Sequence, residues 1–209
     1  ATYRTGANLD GVTVSVNALR TTLPRALDIY SDIILHPAFP AAELDRVRAS
    51  QLASIANEKS DPAEAPMRAL PALLFGSGHA YARPLTGTGT EAAVKRAKRD
   101  DLVAFHRTWF RPNNATLIVV GDTTAADIKP LLEKAFGGWA KGEVPAKNIA
   151  PVQPPQKSVV YLMDRPGSLQ SVIVGAQVAQ PKSPEELVQL QLVNGVLGGS
   201  FSSRMNMNL

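Results

Sequence analysis

A chain of 209 residues with no cysteine can form no disulfide, hold no zinc through thiolates and offer no thiol nucleophile. Its 44% hydrophobic and 19% charged content is that of a globular protein, long enough for one large domain or two small ones. A net charge of +4 is modest, and no apolar run approaches the ~20 residues of a bilayer-spanning helix, so no membrane span is expected.

The N-terminus, Ala1-Thr-Tyr-Arg4, lacks an initiator Met and any signal-peptide pattern, and reads as a piece of something longer. Residues 11–19 alternate, with Val12, Val14 and Val16 set against Thr13, Ser15 and Asn17, which predicts a half-buried strand. Residues 22–35 place Leu23, Ala26, Leu27, Tyr30, Ile33 and Ile34 on one helical stripe. His36-Pro37 ends that helix, because proline disfavours the helical region for the residue before it. A second helix is predicted over 41–58, with Leu44, Val47, Leu52 and Ile55 inward, and a third over 62–75. A glycine-rich loop, GSGHAYARPLTGTGT, fills 76–90. A short helix over 91–97 follows, then another over 101–109 with Leu102, Phe105 and Trp109 on one face.

NNATLIVVGD (113–122) reads as turn, strand and turn, with Leu117–Val120 buried. Thr124 is the expected N-cap of a helix running to Phe136, with Asp127 three residues on and Pro130 inside. Residues 140–157 carry four prolines and little apolar pattern, the composition of a linker. Beyond it, SVVYLMD (158–164) and SLQSVIVGAQV (168–178) predict two strands around the turn Arg165-Pro-Gly167. Ser183, Pro184 and Glu186 predict a capped helix start, with Leu187, Leu190, Val193 and Leu197 inward and Gly198-Gly199 at its end. This order predicts an α+β fold, in which each subdomain is a mainly antiparallel sheet with helices packed on one face. The boundaries expected are a first subdomain over 1–139, a Pro-rich linker over 140–157, and a second, truncated subdomain over 158–209.

Chemistry is harder to place. His36, His79 and His106 have no metal-ligand spacing among them, and the expected role of each is to brace its surroundings. GTGTEA (87–92) offers a possible anion nest, but it lacks the Lys-Ser/Thr of a phosphate-binding loop and does not follow a buried strand. The basic run Lys95–Arg99 is followed at once by Asp100 and Asp101 and is not interleaved with aromatic residues, so it reads as a solvated helix face and not as a nucleic-acid surface.

Several stretches, taken in order, resemble the insulinase/pitrilysin family of zinc metallopeptidases, which includes the processing peptidases and bacterial zinc proteases. They are LPRALDIYSDIILHPAFPAAELDRVR (23–48), GSGHAYARPLTGT (76–88), DLVAFHRTWFRPNNATLIVVGD (101–122) and FGGW (136–139), then RPGSLQSVIVGAQV (165–178) and the run from Ser183 to Leu209. The resemblance implies processing-peptidase-like subdomains that pair, as two halves, around a peptide. It also implies a zinc held in the catalytic half by H-x-x-E-H and a Glu on a downstream helix, with water as the nucleophile.

H-x-x-E-H is absent from this chain, and where the downstream Glu is expected the sequence reads Ala53-Ser54. Glu58 stands too close to Pro62 to match that position. The resemblance therefore implies the non-catalytic half of a zinc protease, with no catalytic residue and no zinc in this chain. Its partner would be a catalytic half in the same polypeptide or another subunit, and its substrate a peptide. Two alternatives stand beside it: an active unit whose H-x-x-E-H lies upstream, or a non-proteolytic assembly subunit like the respiratory-complex relatives. The strand of Val12, Val14 and Val16 is the expected peptide-contacting edge, by β-augmentation. Relatives with this style of sequence imply an exported or periplasmic bacterial protein.

Overall fold

The computed structural model describes residues 1–152, 157–179 and 182–208. It divides into two compact units, Ala1–Gly175 and Ala176–Leu209. Residues 153–156 of the expected linker and the terminal Leu209 lie outside the described residues. The α+β reading holds: helices dominate, and they accompany a small antiparallel sheet.

In the first unit, β1 (Thr2–Ala7) and β2 (Val12–Asn17) form an antiparallel hairpin in register Thr2↔Asn17 to Ala7↔Val12. The Asn8 side chain closes it, its Oδ1 accepting from the amides of Asp10 and Gly11 at 2.8 Å each. β2 is where the alternation puts it. β1 has no matching sequence signal, because Tyr3 is its only large apolar side chain. Tyr3, opposite Val16, nonetheless shares the inner face with Val14 and Val16.

α1 (Leu23–Leu35) lies over that face. Its buried residues, Ala26, Leu27, Tyr30, Ser31 and Ile34, recur at helical spacing, and Pro24 stands in its first turn, where no amide donor is missed. α6 (Ala125–Phe136) supplies the other wall; Thr124 Oγ1 accepts from the Asp127 amide at 3.2 Å, as the cap requires. The resulting core gathers Leu27, Tyr30 and Ile34 with Val14, Val16, Leu132, Phe136 and Trp139. The Tyr30 and Phe136 rings meet edge to face at 5.9 Å, and Trp139 Nε1 donates to the Phe110 carbonyl at 3.1 Å.

The remaining helices of this unit are α2 (Ala41–Ser60), α3 (Glu64–Phe75), α4 (Glu91–Arg96) and α5 (Arg99–Trp109). On α5 the expected face is displaced. Phe105 is 47% exposed, and His106 turns inward instead, its Nε2 bonded to the Ile34 carbonyl at 2.7 Å. On α2 the expected Val47 is 49% exposed, while Ile55 is fully buried.

Three predicted strands are not found. Leu117–Val120 forms no regular element and pairs with nothing among the described residues, leaving Ile118 80% and Val120 93% exposed. The 158–164 and 168–178 stretches behave alike, with Val160 91%, Leu162 93% and Ile173 93% exposed. Apolar composition makes a segment strand-compatible, but a ladder also needs a neighbour offering backbone donors and acceptors.

The expected linker is tied down where it is described. The Asn113 amide brackets Gly142, donating to its carbonyl at 3.0 Å and accepting from its amide at 3.1 Å. A Cβ at residue 142 would come within 2.8 Å of Arg111 Nε, so this close approach suits glycine.

In the second unit, α7 (Pro184–Leu197) begins on the expected capping box. Ser183 Oγ accepts from the Glu186 amide at 3.2 Å, and Glu186 Oε2 accepts from the Ser183 amide at 2.8 Å. Gly198 and Gly199 both donate to the Asn194 carbonyl and close the helix. Its expected inner stripe is exposed: Leu187 50%, Leu190 45%, Val193 52% and Leu197 48%. Val188, Leu192 and Val196 are apolar as well, so no single face is marked out. α8 (Arg204–Asn208) follows, with Ser203 buried at its start.

Candidate functional site

The inward stripe of α2 is polar. Arg48, Gln51, Ile55 and Glu58 follow one another at helical spacing, and three of the four bind the loop and helix opposite. Arg48 Nη2 donates to the Ala97 carbonyl at 2.7 Å and its Nε to the Val94 carbonyl at 3.3 Å, covering the C-terminal end of α4. Gln51 Nε2 donates to the Thr88 carbonyl at 2.9 Å, and Lys59 pairs with Glu91 at 2.5 Å. Loop carbonyls that turn inward need donors, and α2 provides them.

Glu58 is the centre of this array. Its Oε2 accepts from Arg68 Nη1 of α3, from Thr88 Oγ1 at 2.7 Å and from Thr86 Oγ1 at 3.0 Å. The other guanidinium nitrogen, Arg68 Nη2, donates to the Gly89 carbonyl at 2.6 Å. The side chains of Arg68 and Glu58 are only 10% and 14% exposed. Burial pushes the Glu58 carboxyl upward, but the hydrogen bonds from Thr88, Arg68 and Thr86, with the Arg68 charge, outweigh it and hold it below the usual carboxylate range. The carboxylate is thus consumed by a structural clamp joining α2, α3 and the glycine-rich loop.

One turn before Glu58, where the resemblance leads one to expect the downstream Glu, Ala53 is exposed and Ser54 half-buried. A methyl group and a lone hydroxyl are poor donors to zinc beside carboxylate or imidazole. Among the described residues no three His, Cys, Asp or Glu side chains converge as a metal cluster. The residues present on this helix therefore do not fit a zinc site.

The histidines sit apart in three different elements. His36 stands at the end of α1, with Nδ1 3.2 Å from Asp32 Oδ1. His106 braces α1 from α5. His79 is buried and stacked on Phe75 at 5.3 Å. The Tyr81 amide donates to His79 Nδ1 at 3.1 Å, which leaves Nε2 as the protonated nitrogen, donating to the Ala150 carbonyl at 2.9 Å. It fastens the residue 140–152 segment to the glycine-rich loop.

Of the proposed contact strand, Val14 and Val16 point into the core and Val12 is 45% exposed; the Val14 carbonyl already accepts from Tyr30 Oη at 2.9 Å. Of the basic run, Lys95 pairs with Glu91 at 3.5 Å, and Arg99 donates to the Phe39 and Ala38 carbonyls. Arg68, Thr86 and Thr88 were not legible as a site, because nothing in the sequence couples Glu58 to a helix beyond the break at Asp61-Pro62.

Comparison with known proteins places the chain in a family. The family described as the peptidase M16 inactive domain matches residues 96–209, more than half of the chain. An uncharacterised zinc protease of Mycobacterium tuberculosis is 25% identical over 193 residues, covering 90% of this chain and 43% of that protein. The crystal structure of a peptidase M16 inactive domain from Pseudomonas fluorescens shares the fold at a TM-score of 0.79 and 22% identity, over 98% of this chain and 49% of that one. The periplasmic protease PqqL of Escherichia coli shares it at a TM-score of 0.56 and 19% identity, over 68% of this chain and 16% of that one. The chain thus spans less than half the length of the mycobacterial relative and matches the segment that family calls inactive. It belongs to the M16 peptidases, the insulinase/pitrilysin family of zinc proteases, by way of their inactive domain.

Proposed function

We propose that this chain is part of the non-catalytic half of a zinc protease and forms one wall of the chamber that holds the peptide. The zinc and its water nucleophile belong to a catalytic half, supplied by the same polypeptide or by a partner subunit. The observation that carries this reading is the state of α2: Ala53 and Ser54 stand at the expected ligand position, and the nearby Glu58 is committed to Arg68. The family match supports it. The peptide would lie along the outer edge of the β1–β2 hairpin, which has no third strand among the described residues, at the backbone groups other than the Val14 carbonyl that Tyr30 occupies. The periplasmic E. coli neighbour supports placing the whole protein outside the cytoplasm, exported or periplasmic.

A photoreactive amino acid at Ser15, exposed on β2, tests the wall directly in the full-length protein. Irradiation with a peptide substrate should give a covalent adduct at residue 15. Adducts confined to the catalytic half would contradict the reading.

A further inference from the structure

A cavity of about 410 Å³ opens between the β1–β2 turn, the glycine-rich loop and α4; of its lining, the contacts described above engage only the Gly89 carbonyl, held by Arg68 Nη2. Its lining includes Leu9, Arg83, Gly87, Gly89, Ala93 and Arg96. Small and apolar groups make most of the wall, and two guanidinium groups supply its charge.

The two arginines differ from their neighbours. Arg48 is engaged by Asp45 and the α4 carbonyls, Arg68 by Glu58 and Gly89, and Arg99 by the Ala38 and Phe39 carbonyls. Arg83 and Arg96 have no hydrogen bond or ion pair among the described residues, and both are exposed. Glu91, just beside it, sits between Lys59 and Lys95. No acidic side chain is among the residues that line the cavity, so its lining carries two guanidinium groups and no carboxylate over an apolar floor. Its size lies in the range, roughly 300–1,000 Å³, of small-ligand sites.

We infer that this cavity binds a free peptide carboxylate, the C-terminal end of a chain finishing in a small apolar residue. A guanidinium fork suits a carboxylate, which it can engage through two parallel hydrogen bonds. The Leu9 and Ala93 side chains offer a small aliphatic group a contact that inorganic phosphate could not use. Gly87 and Gly89 have φ of +78° and +74°, a region that side-chain-bearing residues seldom adopt, so this part of the wall stays bare backbone that a ligand can approach closely. The inference deepens the chamber reading and rests on it for the ligand being a peptide: the pocket would anchor one end of the substrate.

The test is fluorescence anisotropy with the full-length protein and a labelled hexapeptide ending in Ala, as the free acid and as the amide. The free acid should bind at least tenfold more tightly than the amide. Arg83→Gln with Arg96→Gln should remove that difference, and so should Ala93→Leu, which fills the cavity and leaves both charges in place. Equal binding of acid and amide overturns the carboxylate pocket and leaves the chamber reading intact. So does competition by inorganic phosphate alone as effective as that by the unlabelled acid peptide. Failure of both forms to bind the unsubstituted protein overturns the chamber reading itself.

Discussion

Glu58→Ala is expected to lower the stability of the first unit by about 3–5 kcal/mol, the usual cost of stripping a buried ion pair of one partner. The substitution leaves the Arg68 guanidinium, 10% exposed, facing Thr86 and Thr88 with no counter-charge. The lost packing is a small part of the loss; most of it is a cation that water cannot reach. Replacing both partners, Glu58→Leu with Arg68→Met, should recover most of the loss, because neither charge then needs solvating. Urea unfolding of the three proteins checks this, and a double variant as unstable as the single one would show that the clamp is worth more than its charges. Acid should act in the same direction. Glu58 titrates below its unfolded value, so its contribution is complete above roughly pH 4.3, the ordinary glutamate value, and fades as pH falls through the lower folded one. The gap between the parent protein and Glu58→Ala should therefore narrow on acidification.

Tyr30→Ala is expected to cost about 3–5 kcal/mol, as for other large aromatic truncations in a core. Tyr30 is 7% exposed and touches three elements at once: its ring meets Phe136 of α6, it projects from α1, and its hydroxyl donates to the Val14 carbonyl of β2 at 2.9 Å. Tyr30→Phe keeps the ring and loses only the hydroxyl, so about 1 kcal/mol is expected, with the Val14 carbonyl left one donor short. Burial also raises the Tyr30 hydroxyl above its usual value. Its contribution is full below pH ~10, the ordinary tyrosine value, and is lost as pH rises through the higher folded one. Thermal melts of both variants measure the two steps; a Tyr30→Phe loss as large as that of Tyr30→Ala would place the joint in the hydrogen bond and not in the ring.

The sequence is informative where burial follows a simple period. α1 is legible from Leu23 to Leu35 because Ala26, Leu27, Tyr30 and Ile34 repeat on one face. The caps at Thr124 and Ser183 are legible because a side-chain oxygen three residues ahead of an amide is a local arrangement. α2 misleads because its inner stripe is Arg48, Gln51 and Glu58, side chains that pattern reading assigns to water. They point inward to satisfy a loop and a helix end 28 or more residues further on, and no local rule reveals that. Leu117–Val120 misleads in the other sense: β-branched residues favour an extended backbone, and only a neighbour makes it a ladder. Ala53 and Ser54 at the position where the resemblance leads one to expect an acid, and the closeness of Glu58 to Pro62, are legible in the sequence; that Glu58 is paired with the Arg68 guanidinium is not.

If alanine and serine stand at the ligand position, as proposed, α2, with its nearby Glu58 locked to an arginine, should leave zinc in dilute solution unbound. Calorimetric titration of this chain with zinc at pH 7 measures that directly. Weak, non-stoichiometric heats, the same in Glu58→Gln as in the parent, are the expected result. A tight one-to-one isotherm that Glu58→Gln abolishes would show that this half carries a metal site after all.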